Sequence, residues 1–142
     1  LTAPADPPDL DAEAFARLSS YVSADPCLRA LGIRIVDGGV GRVTMAITVL
    51  PEHLNFQGAC HGGVIFTLAD AAFGLAANSY GIPAVGVDTH CTFQKAARQG
   101  DTLLARARES SRSRKLAFYE VEVGTEREPV IMTFTGTVYI KS

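Results

Sequence analysis

A single carboxylate, Asp70, stands inside the apolar run Val64 to Ala77, and a glycine-rich loop leads into that run. The whole stretch, Asn55 to Gly81, reads NFQGACHGGVIFTLADAAFGLAANSYG. Ile65, Leu68, Ala69, Ala72 and Ala76 recur at helical spacing, and Phe66, Phe73 and Ala77 share the opposite side with Asp70. A helix is therefore expected that is apolar nearly all round, and so buried. A carboxylate in such a helix costs stability unless it is hydrogen-bonded or its raised pKa is put to use. Two readings stand side by side: Asp70 caps a neighbouring loop or pairs with a basic side chain, or it acts as general base or nucleophile. Gly58, Gly62 and Gly63 tilt the balance towards chemistry. A tight turn at a helix N-terminus presents free N–H groups and a partial positive charge, which together hold an oxyanion or a phosphate.

Competing chemistries lack their residues. The chain has no GxSxG elbow, no P-loop and no strand-linked GxGxxG, which removes the usual serine-hydrolase, nucleotide-hydrolysis and dinucleotide readings. Cys60-His61 has the residue types of a nucleophile and its base, but adjacent side chains project in different directions, and a lone Cys before a glycine turn reads as a small buried filler. His53, His61 and His90 do not have the spacing of a zinc site, so no metal is expected. A carboxylate, a helix-end anion hole and the Asn55 amide remain, and they suit attack on an activated acyl group such as a thioester. Its carbonyl would accept from the Gly62 or Gly63 N–H as the oxyanion forms. Asn55 would orient the water or the thioester; it is also an ordinary turn residue.

The ordered set Asn55, Gly58, His61-Gly62-Gly63, Leu68-Ala69-Asp70 and Ala77-Asn78 is continued by Phe93, by Gly100-Asp101 and by a basic turn ahead of the strand Leu116 to Val123. Over roughly Leu31 to the C-terminus it resembles the signature of the hotdog-fold acyl-CoA thioesterases of the phenylacetate-degradation, or PaaI-like, type. The resemblance implies hydrolysis of an acyl-CoA, aryl-acetyl or related, to the free acid and coenzyme A, which is part of the substrate; no cofactor is expected. It assigns the oxyanion role to Gly62 and the attacking role to Asp70, and it makes Asn55 the polar active-site residue. His61 is expected to build the loop, or to hydrogen-bond substrate directly. Phe66, Phe73 and Phe93, with Phe56 and Tyr80, would line an acyl pocket or serve as core. Arg112, Arg114 and Lys115, with Lys95 and Arg98 nearby in the family topology, would meet the coenzyme A phosphates, or form a solvated turn. Arg106 and Arg108 read as the wet face of a strand.

Two departures from the family pattern stand out. Phe93-Gln94-Lys95-Ala96-Ala97 lacks the proline that relatives carry before the Gly-Asp turn, and in Val85 to Thr89, where relatives place a hydroxyl near the carboxylate, Asp88 or Thr89 would substitute. Two alternatives are a hotdog dehydratase acting on hydroxyacyl thioesters and a non-catalytic acyl-CoA-binding protein. The first pairs a His with a carboxylate on the central helix, whereas His61 precedes it; the second carries a DNA-binding segment that the short N-terminal region does not show.

The elements that must position these residues follow from pattern and composition. With 142 residues, 47% of them hydrophobic, the chain fits one globular domain, expected over residues 9–142 after a flexible arm at 1–8. A net charge of −2 gives no global case for nucleic acid or an anionic membrane. Three cysteines without metal or disulfide spacing fit a reducing cytoplasm, and no apolar run is long enough to span a bilayer, so a soluble protein is expected. Short helices are expected from Asp9 to Tyr21, capped by Asp9 or Asp11 with Leu10, Phe15, Leu18 and Val22 near one face, and after Asp25-Pro26 up to Gly32. From Ile33 the period becomes two, giving a hairpin turned at Asp37-Gly38-Gly39 with Val43, Met45, Ile47 and Val49 on its buried face. Four more strands, about 84–94, 102–109, 116–123 and 130–140, are separated by turn signals at Gly100-Asp101, Ser110 to Ser113 and Gly124 to Pro129. The fold class is α+β: an antiparallel sheet wrapped around a long central helix, with short N-terminal helices, which is the hotdog arrangement the resemblance implies independently.

Spacing adds a constraint on assembly. Gly62 and Asp70 are eight residues apart, which is about 12 Å along one helix. One thioester carbon cannot be served by both. A two-fold axis would bring Asp70 of one chain to Gly62 of another, giving a homodimer with two shared sites. Family likeness implies the same dimer, often paired again into a homotetramer.

Overall fold

The computed structural model describes residues 7–141. Of the expected arm at 1–8, residues 1–6 lie outside the described residues. Asp9 caps α1 (Leu10–Ser23), its carboxylate accepting from the Ala12 N–H at 3.0 Å. Asp11 reaches across instead, accepting from the Val40 N–H at 2.9 Å and pairing with Arg42. Ala14 and Leu18 form the buried stripe of α1, whereas Leu10 is 61% exposed, one turn too early to reach the core. Asp25 caps α2 (Pro26–Leu31), which ends at Gly32 with φ +78°.

β1 (Arg34–Gly39) and β2 (Arg42–Thr48) form the hairpin, with its turn at Val40-Gly41 rather than at Asp37-Gly38-Gly39. A bulge after Ile35 carries the two glycines on into β1, and Gly41, at φ +75°, supplies the left-handed turn residue. A 3-10 turn at Pro51–His53 and an irregular loop lead into α3 (Gly62–Ala77). β3 (Ala84–Phe93), β4 (Thr102–Arg112), β5 (Leu116–Gly124) and β6 (Met132–Ile140) complete one antiparallel sheet, ordered β1-β2-β4-β5-β6-β3. β4 runs three residues past its expected end because a bulge between Glu109 and Ser111 absorbs the serine run.

α3 packs on β2, β3, β4, β5 and β6, and this is the hotdog arrangement expected. The core lies between them, built from Met45, Ile47, Leu68, Ala72, Leu103, Val121 and Phe134. Phe73 sits inside it, 5.4 Å from Phe134 and 5.8 Å from Tyr119 between ring centroids. Gly136 makes that possible, since a Cβ there would stand 2.6 Å from the Phe73 ring. The helix is not buried all round. Phe73 and Ala77 turn inward, but Asp70 is exposed, on a face shared with half-buried Thr67, Ala71 and Gly74. Among the described residues no helix is long and apolar enough to cross a membrane.

Candidate functional site

The N-terminus of α3 has one amide to spare. The His61 carbonyl takes the Val64 and Ile65 N–H groups at 3.0 and 3.3 Å, and the His61 ring, through Nδ1, takes the Gly63 N–H at 3.0 Å. Only the Gly62 N–H, among these four, has no acceptor among the described residues. His61 is thus the helix cap, and of the two glycines Gly62 is the one with a donor to offer.

The loop before it is tied by Asn55. Its Oδ1 accepts from the Gln57 and Ala59 N–H groups at 2.9 and 3.2 Å, and its backbone N–H donates to the Ala59 carbonyl at 2.7 Å. Both carbonyl lone pairs are committed, so the Nδ2 amide faces outward, solvent-accessible and without a partner among the described residues. Asn55, Gln57, Gly62, Ile65, Phe93 and Lys95 line one open cleft of about 320 Å³, with the Phe93 ring against Gly62. Two outward donors, Asn55 Nδ2 and Gly62 N–H, therefore belong to one cleft. Cys60 lines it too, but burial pushes its thiol up to about 11, with Asp101 adding to the shift, so it remains a neutral thiol at neutral pH.

Asp70 belongs to a different cleft, of about 370 Å³, between α3 and the N-terminal helices, lined by Tyr21, Asp25, Leu28, Ala71, Gly74, Leu75 and Asn78. It makes no hydrogen bond or ion pair among the described residues, so the capping and pairing roles fall away. Loss of water around the carboxyl raises its pKa above 3.8. Within one chain, then, the donors and the carboxylate sit in separate clefts.

Residues 57–131 match the Thioesterase superfamily. The chain belongs to that family. The Escherichia coli acyl-coenzyme A thioesterase PaaI is 35% identical over 79% of this chain and 80% of its own length. A structure of E. coli PaaI from the phenylacetic acid degradation operon superposes with a TM-score of 0.91 at 30% identity, covering 94% of this chain and 97% of that one. A Streptococcus mutans protein bound to acetyl-CoA superposes with a TM-score of 0.74, also at 30% identity, over 78% of this chain and 89% of its own. The protein is a thioester hydrolase, a PaaI-like hotdog thioesterase.

The remaining positions are distributed over this thioesterase unevenly. Register places Thr89 beside Gly136, on the sheet face that carries α3, while Asp88 pairs with Thr137 on the outer face, in a separate hollow with His90 and Glu120. Of the two candidate substitutes for the missing hydroxyl, Thr89 is the one on the α3 side. Phe66 is half-buried against Phe134, 5.6 Å between centroids, and Phe73 is core. Phe56 is 95% exposed.

The basic residues divide between the two ends of β6. The Lys95 N–H bonds the Ile131 carbonyl just before that strand, and its ammonium pairs with Glu128 at 2.7 Å. The Lys115 carbonyl accepts from Ile140, the last residue of the strand, about 27 Å away. Arg112 is committed to the fold: its guanidinium lies 3.7 Å over the Tyr80 ring and pairs with Glu109 at 3.4 Å. Glu109 also accepts from the Tyr80 and Tyr119 hydroxyls at 2.8 and 2.7 Å. Lys115 lies 5.6 Å over the Tyr139 ring, and Arg114 is exposed without a partner among the described residues. Sequence reading passed over Tyr21, Leu28 and Gly74; the available signal was Gly74 itself, a glycine inside a helix that otherwise favours residues with side chains.

Proposed function

We propose that this thioesterase hydrolyses an acyl-CoA to the free acid and coenzyme A in sites shared between two protomers. The observation that carries this reading is the split of the machinery: Gly62 and Asn55 offer donors in one cleft, and Asp70 offers an unpartnered carboxylate in another. Antiparallel pairing of two α3 helices would set Asp70 against the partner subunit's Gly62. The sheet supports such pairing, because β3 is a ten-residue edge strand with Val87 60% and Phe93 51% exposed, an edge that soluble proteins cover. A further pairing into a tetramer is part of the same reading.

Catalysis needs few parts. As general base, Asp70 takes a proton from water while the oxygen attacks the thioester carbon. The oxyanion accepts from the Gly62 N–H and the C–S bond then breaks, releasing coenzyme A as its thiol after proton return. As nucleophile, Asp70 attacks the carbon itself, expels the thiolate, and leaves a mixed anhydride that water cleaves. The Asn55 Nδ2 amide orients the water or the thioester, and Thr89 is the nearest substitute for the family hydroxyl. Lys95, beside the donor cleft, and Arg114, at the far end of β6, are alternative basic candidates for the coenzyme A phosphates. The likeness to E. coli PaaI supports an aryl-acetyl or related acyl group, and three free thiols fit a cytoplasmic setting. A panel of acyl-CoAs assayed for free thiol tests the reading: turnover of at least one ester is expected, and absence of thiol release across acyl lengths and aryl esters contradicts it. Accumulation of a dehydrated acyl-CoA in place of thiol would identify the dehydratase alternative.

A further inference from the structure

We propose that the cleft between α3 and the N-terminal helices receives the acyl group, so that Tyr21, Leu28 and Gly74 set which acyl-CoAs are cleaved. The inference rests on the proposed role of Asp70, which lines the same cleft and marks where the thioester carbon must stand. From Asp70 the cleft follows Ala71, Gly74, Leu75 and Asn78, one continuous stripe of about 12 Å along α3, with Tyr21 and Leu28 opposite.

The walls are apolar in effect. The Asn78 side chain spends its amide on the Gly74 and Ala84 carbonyls and its oxygen on the Ala84 N–H. Asp25 faces the cleft, but one of its oxygens is bonded to the Leu28 N–H as the cap of α2. The Tyr21 hydroxyl, at the rim, and the Asp70 carboxyl, at the thioester end, have no partner among the described residues. Between them an acyl chain or ring meets methyl, methylene and ring carbon, the lining that suits an apolar ligand.

Gly74 gives the second, independent observation. Glycine inside a helix is unfavourable relative to alanine, yet no atom lies within 4 Å of where its Cβ would stand. Gly136 and Gly86, by contrast, are kept small by Phe73. The packing of this chain does not explain the missing side chain at Gly74; room for a ligand does. Tyr21, Asp25 and Leu28 come from the N-terminal helices, ahead of the segment that matches the family, 57–131.

The test compares kcat/KM for acetyl-CoA with that for the longest or bulkiest acyl-CoA the parent cleaves, in the full chain and in Gly74→Leu and Tyr21→Ala. Gly74→Leu should lower the bulky-to-acetyl ratio by about tenfold or more, the scale of a methylene-sized misfit in an apolar pocket. Tyr21→Ala, on an exposed helix face that tolerates truncation, should shift the optimum towards bulkier acyl groups and keeps the test open if Gly74→Leu fails to fold. Unchanged ratios in folded variants overturn the assignment while leaving the thioesterase reading in place. Equal loss on all substrates together with dissociation of the oligomer also overturns it, because the Gly74 face is then held by a second copy. A parent that releases no thiol from any acyl-CoA overturns the thioesterase reading itself.

Discussion

The Asp70 carboxyl is raised above 3.8 because partial loss of water around it disfavours the charged form, and no donor among the described residues answers it. A group with a raised folded pKa favours the folded state when protonated, and that contribution is lost as pH climbs from the unfolded value through the folded one. Asp70→Asn removes the ionised form. The variant should therefore unfold at a higher temperature than the parent at pH 7, and the gain should vanish as the pH falls towards 3.8. The same substitution should cut kcat by about a hundredfold with a much smaller change in KM, the scale of a lost general base. In the parent, the acid limb of kcat/KM should lie above the ordinary aspartate range. A variant with parental turnover would remove Asp70 from its role. Asn55→Asp makes a companion test. It keeps both loop bonds to Gln57 and Ala59 but loses the Nδ2 donor, so kcat should fall by about a hundredfold while thermal stability holds. A matching fall in stability would mean that Asn55 acts only through its loop.

Among the elements, α3 was the most legible in sequence, because Ile65, Leu68, Ala69, Ala72 and Ala76 repeat at helical spacing and the structure buries all five. Which way Phe73 and Asp70 faced was not legible. Phe73 turns inward only because Gly136, more than sixty residues on, makes room for its ring, and single-helix periodicity contains no such term. The candidate site was half legible. Asn55, Gly62 and Asp70 stood out by type and spacing, but the choice between Gly62 and Gly63 depended on the His61 ring taking one amide, and the wall at Tyr21 and Leu28 depended on where α1 and α2 dock.

The β4–β5 turn shows the same limit. Arg112, Arg114 and Lys115 read as one cluster, yet Arg112 is tied to Tyr80 and Glu109 with only 20% of its side chain exposed. Arg112→Ala should cost about 1–2 kcal/mol of stability through the lost ring contact and the lost Glu109 partner, read as a lower denaturation midpoint. It should change KM equally for acyl-CoA and for a truncated thioester. Arg114→Ala should leave stability alone and raise KM only for the substrate that carries phosphates; equal effects on both substrates would make Arg114 a plain surface residue.

At the scale of the whole molecule, the fold leaves β3 as a long edge and divides the candidate catalytic groups between two clefts. Val87→Lys places a charge on that edge where a neighbouring strand would pair, so it should shift the protein towards monomer in sedimentation and lower activity in proportion. A monomer that keeps full activity would contradict a shared site. The most direct measurement is complementation. Asp70→Asn protein and Gly62→Leu protein, each inactive alone, are unfolded, mixed in equal amounts and refolded, and hybrid formation is confirmed by mass. Each mixed dimer would hold one site with both native residues, Asp70 from one protomer and Gly62 from the other. Random pairing makes about half of the dimers mixed, with one of two sites restored, so about a quarter of wild-type activity should return. Confirmed hybrids with no recovered thiol release would contradict the account and return Asp70 and Gly62 to separate roles within one chain.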